Sequence, residues 1–250
     1  MIAIPSDLIT ILKSATHVTV LTGAGVSQES GLRTFRDAQT GFWAQYRPED
    51  LATPEAFERD PKLVWDWYAM RREIIKEVKP NPGHYALVQM ARLFPNFTLI
   101  TQNVDGLHQQ AGSKAVIELH GNIQEIKCSR CTEIARQWDD NTENVPICTK
   151  CGGLLRPNVI WFGESLPGQA LVNAAEASSK CDVFFTIGTS GLVQPAASLA
   201  IAAKNSNAIV VQINLDATPV NPKVDYILVG KSGEILPEII RAGWDAAVEV

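Results

Sequence analysis

The stretch that decides the fold is Val18-Thr-Val-Leu-Thr-Gly-Ala-Gly-Val-Ser27. Residues 18–21 form a short run of apolar and β-branched side chains, which predicts a strand. Gly23-Ala24-Gly25 follows at once. Glycines there let the backbone approach a pyrophosphate, and the helix that follows would point N–H groups at it. A simple tight turn remains an alternative, because Gln28 stands where the third glycine of the full dinucleotide fingerprint belongs.

Further apolar runs predict the rest of a sheet. Buried parallel strands are predicted at residues 97–100, 183–187, 209–213 and 226–229, and helices lie between them at 82–93, 169–178 and 195–204. Strands that alternate with helices are typical of an α/β domain with helices on both faces of the sheet. We therefore predict a Rossmann-like parallel sheet.

Two stretches interrupt this alternation. Residues 38–80 are rich in Trp, Phe, Arg and Glu without a clear strand, which predicts a helical insert. Residues 122–155 carry paired cysteines and polar spacers, which predicts a zinc-ribbon insert, called here the zinc-binding insert. The two inserts are expected to form a small domain. The Rossmann-like domain then takes the remaining residues, 1–37, 81–121 and 156–250.

Four cysteines occur as two C-x-x-C pairs, Cys128 with Cys131 and Cys148 with Cys151, and 16 residues separate the pairs. This spacing is typical of a tetrahedral zinc site in which no ligand position is left for a substrate, so its role is structural. Two disulfides or four independent thiols are the alternatives. Cys181 precedes an apolar run and is interpreted as a small buried hydrophobic residue.

Composition restricts the class of protein. A chain of 250 residues with 46% apolar residues suits one large domain, or one domain with a smaller insert. A net charge of −5 argues against a general nucleic-acid binder and weakly favours basic protein segments as partners. There is no apolar run near the roughly 18 residues of a membrane span, and we expect no secretory signal. Zinc-type cysteine pairs then predict a cytoplasmic protein. The sequence is silent on oligomeric state, and a monomer is our working expectation.

Polar side chains follow the predicted strands at the point where each strand ends. They are Gln102, Asn103 and Asp105, then Gly188-Thr189-Ser190, then Asn214-Leu215-Asp216. Ligands bind at the carboxyl ends of strands in an open α/β sheet, so these groups are placed to bind an amide or a ribose. A polar turn with an Asx cap is the alternative for the first group. His120, just before the zinc-binding insert, suits a general base, although lone histidines are usually structural, which is how we interpret His17 and His84.

Together these motifs resemble the sirtuin family, the NAD-dependent protein-lysine deacylases. The motifs that appear in the family's order are Gly23-Ala24-Gly25-Val26-Ser27, Thr34-Phe35-Arg36, Gln102-Asn103-Val104-Asp105, His120-Gly121, the paired cysteines, Phe162-Gly163-Glu164, Gly188-Thr189-Ser190 and Asn214. The resemblance covers about residues 8–240. Each motif is short, but their joint occurrence in this order is highly specific.

The resemblance implies NAD and Zn²⁺ as cofactors and gives roles to single residues. His120 is implied to be the general base on the ribose hydroxyls of NAD, and Asn103 and Asp105 to hold the nicotinamide and ribose end. Phe35 is implied to shield the reactive face once nicotinamide leaves. The other NAD-binding residues implied are Gly23, Ala24, Gly25, Arg36, Gln102, Val104, Gly188, Thr189, Ser190, Asn214, Leu215, Asp216 and Ser232. An extended edge that pairs with a substrate peptide is implied for Val159, Ile160, Trp161 and Phe162.

Tyr68 and Arg71 in the helical insert are three residues apart and so share a face if this segment is a helix. A phenol beside a guanidinium can bind a carboxylate. The pair, like the Trp161-Phe162-Gly163-Glu164 stretch, resembles the class III sirtuin branch, which removes acidic acyl groups such as succinyl and malonyl. A solvated helix face for Arg71 and Arg72 is the alternative. Acetyl removal is also expected, since a small apolar group fits the same tunnel.

The sequence therefore predicts NAD-dependent removal of succinyl, malonyl and also acetyl groups from protein lysine, which gives nicotinamide and O-acyl-ADP-ribose. The predicted partners are acyl-lysine proteins or peptides, with no nucleic acid and no membrane. One alternative is an NAD-dependent protein ADP-ribosyltransferase on the same fold. Another is a non-catalytic zinc module that binds nucleic acid or protein, which the acidic balance and the polar strand ends disfavour.

Overall fold

The computed structural model describes residues 3–32, 45–140, 143–216 and 224–248. The strands in this part of the chain are β1 (His17–Thr22), β2 (Asn96–Thr101), β3 (Val116–Glu118), β4 (Gly121–Cys128), β5 (Leu155–Val159), β6 (Val183–Ile187), β7 (Ile209–Asn214) and β8 (Tyr226–Val229). All but β4 and β5 form one parallel sheet in the order β3-β2-β1-β6-β7-β8. The predicted strands are confirmed, and β3 is an addition that the sequence did not predict.

The helices of the described residues are α1 (Ser6–Ser14), α2 (Ala24–Gln28), α3 (Pro48–Leu51), α4 (Pro54–Arg59), α5 (Pro61–Lys76), α6 (Pro82–Leu93), α7 (Leu107–Gln110), α8 (Gly168–Lys180), α9 (Ser198–Asn205) and α10 (Ser232–Trp244). Local chemistry sets where the longer ones begin. Asp60 accepts a hydrogen bond from the N–H of Leu63 at the start of α5, and Asn81 caps α6 in the same way through Gly83. Each cap is followed by a proline, whose fixed φ suits the first helical position. Among the residues that the structure describes, no helix is long and apolar enough to cross a membrane.

Helices cover both faces of the parallel sheet. Phe185 on β6 packs in an apolar cluster with Leu8 of α1, Leu87 of α6 and Ile239 of α10. Its neighbour Phe184 points to the opposite face, into a cluster with residues of α8 and α9. Because both faces are buried, β6 reads in sequence as a continuous apolar run. The predicted fold class is confirmed.

A smaller region stands beside the sheet. Strand β4 pairs with β5 in an antiparallel hairpin-like ladder that joins Gly121 to Val159 and Cys128 to Leu155. Trp65 and Trp67 of α5 share one apolar cluster with residues of both strands. The predicted helical and zinc-binding inserts thus pack against each other through a common core. The exact residues at which the chain divides into domains stay a prediction.

Candidate active site and metal centre

The polar residues predicted at separate strand ends are hydrogen-bonded to one another. Gln102 follows β2, and its side-chain Nε2 donates to Oγ1 of Thr189, which follows β6, at 3.1 Å. Asn214 ends β7, and its Nδ2 donates to the carbonyl of Thr189 at 3.1 Å. The parallel register brings these carboxyl ends to one edge of the sheet. They therefore form one cleft.

The glycine turn after β1 packs directly against the turn after β6. A Cβ on Gly23 would lie 2.8 Å from the carbonyl oxygen of Gly188, and a Cβ on Gly25 would lie 2.7 Å from the Cα of Gly188. The N–H of Gly25 donates to that same oxygen at 2.8 Å. These glycines are therefore required by the approach of two backbone turns. This requirement adds to the phosphate approach predicted for them, and Ala24 between them opens α2.

Asn103 and Asp105 are held by hydrogen bonds to Gly23 and Ser27, which follow β1. Asn103 is 8% exposed, and its Nδ2 donates to the carbonyl of Gly23 at 3.1 Å and to Oγ of Ser27 at 3.2 Å. Asp105 accepts from Oγ of Ser27 at 2.7 Å and from the N–H of Leu107 at 2.9 Å. Burial raises the pKa of Asp105, while these two hydrogen bonds and the charge of Arg71 oppose the rise. Val104, between them, packs towards the apolar cluster of the smaller region.

His120 lies between β3 and β4, and one nitrogen of its ring is already engaged. Nδ1 is 3.0 Å from the carbonyl oxygen of Gln102. A carbonyl only accepts, so Nδ1 carries the proton and the neutral ring presents the lone pair of Nε2. Burial lowers the pKa of His120, and the bond to Gln102 partly opposes that shift. The ring is therefore set up as a neutral base beside the loop of Asn103 and Asp105.

The far end of the cleft is a small depression. It is lined by Gly25, Glu29, Gly188, Ile213, Asn214, Leu215, Gly230, Lys231 and Ser232. Ser232 donates through Oγ to Glu29 at 2.8 Å, and the N–H of Gly233 donates to the same carboxylate at 3.0 Å. Glu29 thus ties the end of α2 to the start of α10, a contact that no motif in the sequence predicts. Ser190 and Asp216 follow the carboxyl ends of β6 and β7. The predicted Phe35 and Arg36 lie outside the described residues.

Tyr68 and Arg71 lie on α5, as predicted; Tyr68 is 3% exposed, and Arg71 is half-buried. The indole Nε1 of Trp161 donates to the hydroxyl of Tyr68 at 3.0 Å. The guanidinium carbon of Arg71 lies 5.1 Å from the ring centroid of Trp67. Burial lowers the pKa of Arg71, and the charge of Asp105 counters this shift. A solvated helix face is wrong for Arg72, which is 1% exposed and pairs with Asp140.

The stretch predicted to pair with a peptide has most of its N–H groups engaged. The N–H of Ile160 donates to the carbonyl of His120 at 2.9 Å, and that of Phe162 to the carbonyl of Ala52 at 2.9 Å. The N–H of Trp161 donates to Glu164 at 2.8 Å. A peptide that pairs with this stretch would therefore have to use backbone groups other than these three N–H groups. Phe162 itself is 50% exposed.

The four cysteines come together as predicted. Their sulfur atoms all lie within 4.8 Å of one another, with 3.4 Å between Cys128 and Cys151 and 3.7 Å between Cys131 and Cys148. Zn–S bonds of about 2.3 Å in a tetrahedron separate sulfurs by roughly 3.8 Å, so the cluster fits zinc. All four are free thiols, which excludes the two disulfides. Cys181 is also free and buried, as predicted.

Two buried histidines lie near the cleft, and one of them, His108, was given no role by the sequence analysis. Nε2 of His108 is 2.9 Å from Oγ1 of Thr22, which donates to Oγ1 of Thr101 at 2.8 Å, and that oxygen accepts from the N–H of Asn103. The ring of His84 lies 4.9 Å from that of His108. The sequence could have indicated His108, because this residue belongs to the polar segment that follows the end of β2. Nδ1 of His84 accepts the N–H of Asn81 at 3.2 Å at the start of α6, a contact that fits the structural interpretation.

Fold and site together define a class: a Rossmann-like α/β protein whose strand ends bring buried amide, carboxylate and imidazole groups to one cleft, next to a four-cysteine cluster. A family model described as the Sir2 family matches residues 23–195. The chain is 48% identical over 231 residues to NAD-dependent protein deacylase 2 of Pyrobaculum aerophilum, with 92% of each covered. It is 52% identical over 210 residues to the NAD-dependent protein deacylase of Aquifex aeolicus, with 84% of this chain and 87% of that protein covered. The chain belongs to the Sir2 family.

Solved structures of Sir2 proteins superpose closely on this chain. A Sir2 homologue in complex with NAD superposes with a TM-score of 0.92 at 43% identity, over 97% of this chain and 95% of that chain. A mutant Sir2 homologue in complex with 2′-O-acetyl ADP ribose gives 0.90 at 43% identity, over 97% of each chain. Sir2 bound to an acetylated peptide gives 0.82 at 30% identity, over 96% of this chain and 99% of that chain. The predicted resemblance to sirtuins is confirmed for the family, and the class III branch stays a prediction.

Proposed function

We propose that this member of the Sir2 family is an NAD-dependent protein-lysine deacylase that prefers succinyl and malonyl groups and also removes acetyl groups. The observation that carries the general activity is His120, whose Nδ1–H is held by the carbonyl of Gln102 beside Asn103 and Asp105. The NAD, acetyl ADP ribose and acetylated peptide bound to its structural relatives support the same reaction.

The residues of the cleft suit the two ends of NAD. The depression next to Asn214 and Ser232 would take the adenosine end, and the glycine turn with Thr189 would lie along the phosphates. The buried amide of Asn103 and the carboxylate of Asp105 would face the nicotinamide and its ribose. NAD, consumed as a substrate, supplies the ribose carbon that the acyl oxygen attacks as nicotinamide leaves.

His120 then does the proton transfer. Its Nε2 takes the proton of a ribose hydroxyl, so that this oxygen can attack the acyl carbon. The bond from Nδ1 to Gln102 fixes the tautomer that this step requires. Water finally releases free lysine and O-acyl-ADP-ribose. The four-cysteine cluster supports the structure only, because a zinc ion with four thiolate ligands has no position left for substrate.

The preference for acidic acyl groups rests on Tyr68 and Arg71. Burial of Arg71 removes water from a cation, at a cost that an incoming carboxylate offsets. An arginine fork and a phenolic hydroxyl match the planar, acceptor-only carboxylate of a succinyl or malonyl group. An acetyl group has no carboxylate to accept hydrogen bonds from Arg71 and Tyr68. It can therefore enter the site, but these two residues add nothing to its affinity.

Replacement of His120 by alanine tests the general base. We expect acyl-lysine hydrolysis to fall by about 10²- to 10⁴-fold, the usual contribution of a positioned base. His17→Ala is the matched control, because His17 begins β1 at the end away from the cleft. Its hydrolysis rate should stay near that of wild type. Activity of His120→Ala within about tenfold of wild type would contradict the role. Mass spectrometry of the products separates the reactions: acyl-ADP-ribose supports a deacylase, and protein that gains ADP-ribose supports the transferase.

A panel of succinyl, malonyl and acetyl peptides tests the acyl preference. The wild-type ratio of kcat/KM for succinyl over acetyl should be well above one, and Tyr68→Phe with Arg71→Met should lower it. Lys76→Met, an exposed cation on the same helix that pairs with Glu73, is the control for loss of positive charge. A ratio that the double variant leaves unchanged would remove Tyr68 and Arg71 from selectivity.

A further inference from the structure

We propose that Trp161, held in place by Arg156 and Glu164, is a positioning residue that sets the direction of the Tyr68 hydroxyl and thereby tunes the acyl site for a carboxylate. This inference rests on the proposed function, because it explains how the same site selects acidic acyl groups. It concerns residues that do not have to touch the reacting atoms.

The contact between Trp161 and Tyr68 constrains a hydrogen atom. Both residues are 3% exposed, and the indole Nε1 lies 3.0 Å from the phenolic oxygen. An indole N–H can only donate, so the oxygen of Tyr68 accepts in this bond. The phenolic proton must then point away from Trp161. The hydroxyl keeps that proton, because burial raises the pKa of Tyr68 well above its usual value. Tyr68 is thus prepared as a donor, and a carboxylate is a group that only accepts.

Trp161 is itself fixed by an ion pair between Arg156, which is buried, and Glu164, which is partly exposed. The guanidinium of Arg156 donates to the carboxylate of Glu164 at 2.6 and 2.9 Å, and its carbon lies 3.2 Å from the centroid of the indole ring. Glu164 also accepts the backbone N–H of Trp161 at 2.8 Å. The side chain of Arg156 is only 7% exposed. Ring and backbone of Trp161 are therefore held by the same pair of charges, which leaves the indole little freedom to turn.

The arrangement predicts a selective effect. A succinyl or malonyl carboxylate would gain from a hydroxyl whose proton is already directed, since less freedom is lost on binding. An acetyl methyl group makes no hydrogen bond and would be indifferent to that direction. Removal of the indole N–H should therefore act on acidic acyl groups and should depend on the presence of the Tyr68 hydroxyl.

The test is a double-mutant cycle on purified enzyme with succinyl and acetyl peptides. Trp161→Phe keeps an aromatic ring and removes the N–H. We expect it to lower the succinyl-to-acetyl ratio of kcat/KM by about three- to tenfold, the worth of one ordinary hydrogen bond, mainly through KM for the succinyl peptide. In a Tyr68→Phe background the same change should leave the ratio within about twofold. Trp244→Phe, on the remote helix α10, is the matched control.

Glu164→Gln supplies a second route if Trp161→Phe folds poorly. It keeps the shape of the side chain and weakens the grip on Arg156, so it should lower the ratio in the same direction, again only when Tyr68 keeps its hydroxyl. An unchanged ratio in both variants, or an equal fall with and without that hydroxyl, overturns the inference while the wild-type preference stands. A wild-type ratio near one overturns the proposed acyl preference and this inference with it.

Discussion

Arg72 of α5 and Asp140 of the zinc-binding insert form a buried ion pair that joins two segments far apart in the chain. Nε of Arg72 donates to both carboxylate oxygens at 3.1 and 3.0 Å, and an Nη2 contact completes the fork. The guanidinium also lies 5.1 Å from the ring of Trp65. Arg72 directly follows Arg71, so the pair anchors the part of α5 that carries the proposed acyl site.

The two halves of this pair should differ in their effect on stability. The side chain of Arg72 is 1% exposed and that of Asp140 is 12% exposed. Asp140→Ala strands a buried cation and should cost about 3–5 kcal/mol. Arg72→Met leaves a carboxylate that water can reach, so its cost should be smaller. Urea unfolding of both variants checks the order, and Glu73→Ala, in an exposed pair, should cost below about 1 kcal/mol. Equal losses for Asp140→Ala and Arg72→Met would contradict this account.

Loss of one cysteine should release the metal and loosen the smaller region. Cys128 is fully buried and belongs to the same apolar cluster as Tyr68 and Trp161. We expect Cys128→Ser to lower the bound zinc, measured by elemental mass spectrometry, from about one per chain to near zero, and to reduce deacylation. Cys181→Ser, which removes a buried thiol outside the cluster, should retain the metal. Full zinc content in Cys128→Ser would argue against a site of four thiolates.

The pH dependence of the reaction should reflect His120. Burial lowers its pKa from the ordinary value of 6.5, so the neutral ring that can accept a proton is already the main form at pH 7. The value of kcat/KM for the acyl peptide should therefore stay level near neutrality and fall only below pH 6.5, as Nε2 becomes protonated. The residual rate of His120→Ala should lack this fall. A midpoint above pH 7 would mean that another group controls the rate.

Sequence patterns predicted the features that depend on neighbouring residues or on the parallel order of the strands. The run 183–187 marked β6 because both faces of that strand are buried. The cleft was predictable since parallel strands end at one edge. Strand β3 was missed because its three residues, Val116-Ile117-Glu118, are too few to show the periodicity of a strand. The contact of Trp161 with Tyr68 spans 93 residues in sequence, and no local pattern carries it. The same holds for the ion pair of Arg72 with Asp140.

A buried pair of histidines should make the protein sensitive to acid. His84 and His108 are 0% and 1% exposed, and their rings lie 4.9 Å apart. Burial lowers the pKa of His84 to about 4 and that of His108 to about 3, where the neighbouring His84 adds a smaller effect. In the unfolded chain both titrate near the ordinary value of 6.5. Between that value and about pH 4 the unfolded chain therefore binds protons that the folded protein does not.

The sign of the effect follows from this difference. Stability from the two neutral rings is complete above pH 6.5 and is lost as the pH falls towards 4, by about 1.4 kcal/mol per pH unit for each histidine well inside that window. The free energy of unfolding in urea, measured at pH 7, 6 and 5, should thus fall more steeply in wild type than in a His84→Asn, His108→Gln variant. The variant will be less stable at pH 7, because His84 accepts the N–H of Asn81 and His108 contacts Thr22. The informative quantity is therefore the slope of the free energy of unfolding against pH. Equal slopes for the two proteins would show that the pKa values of these rings are not lowered in the folded state.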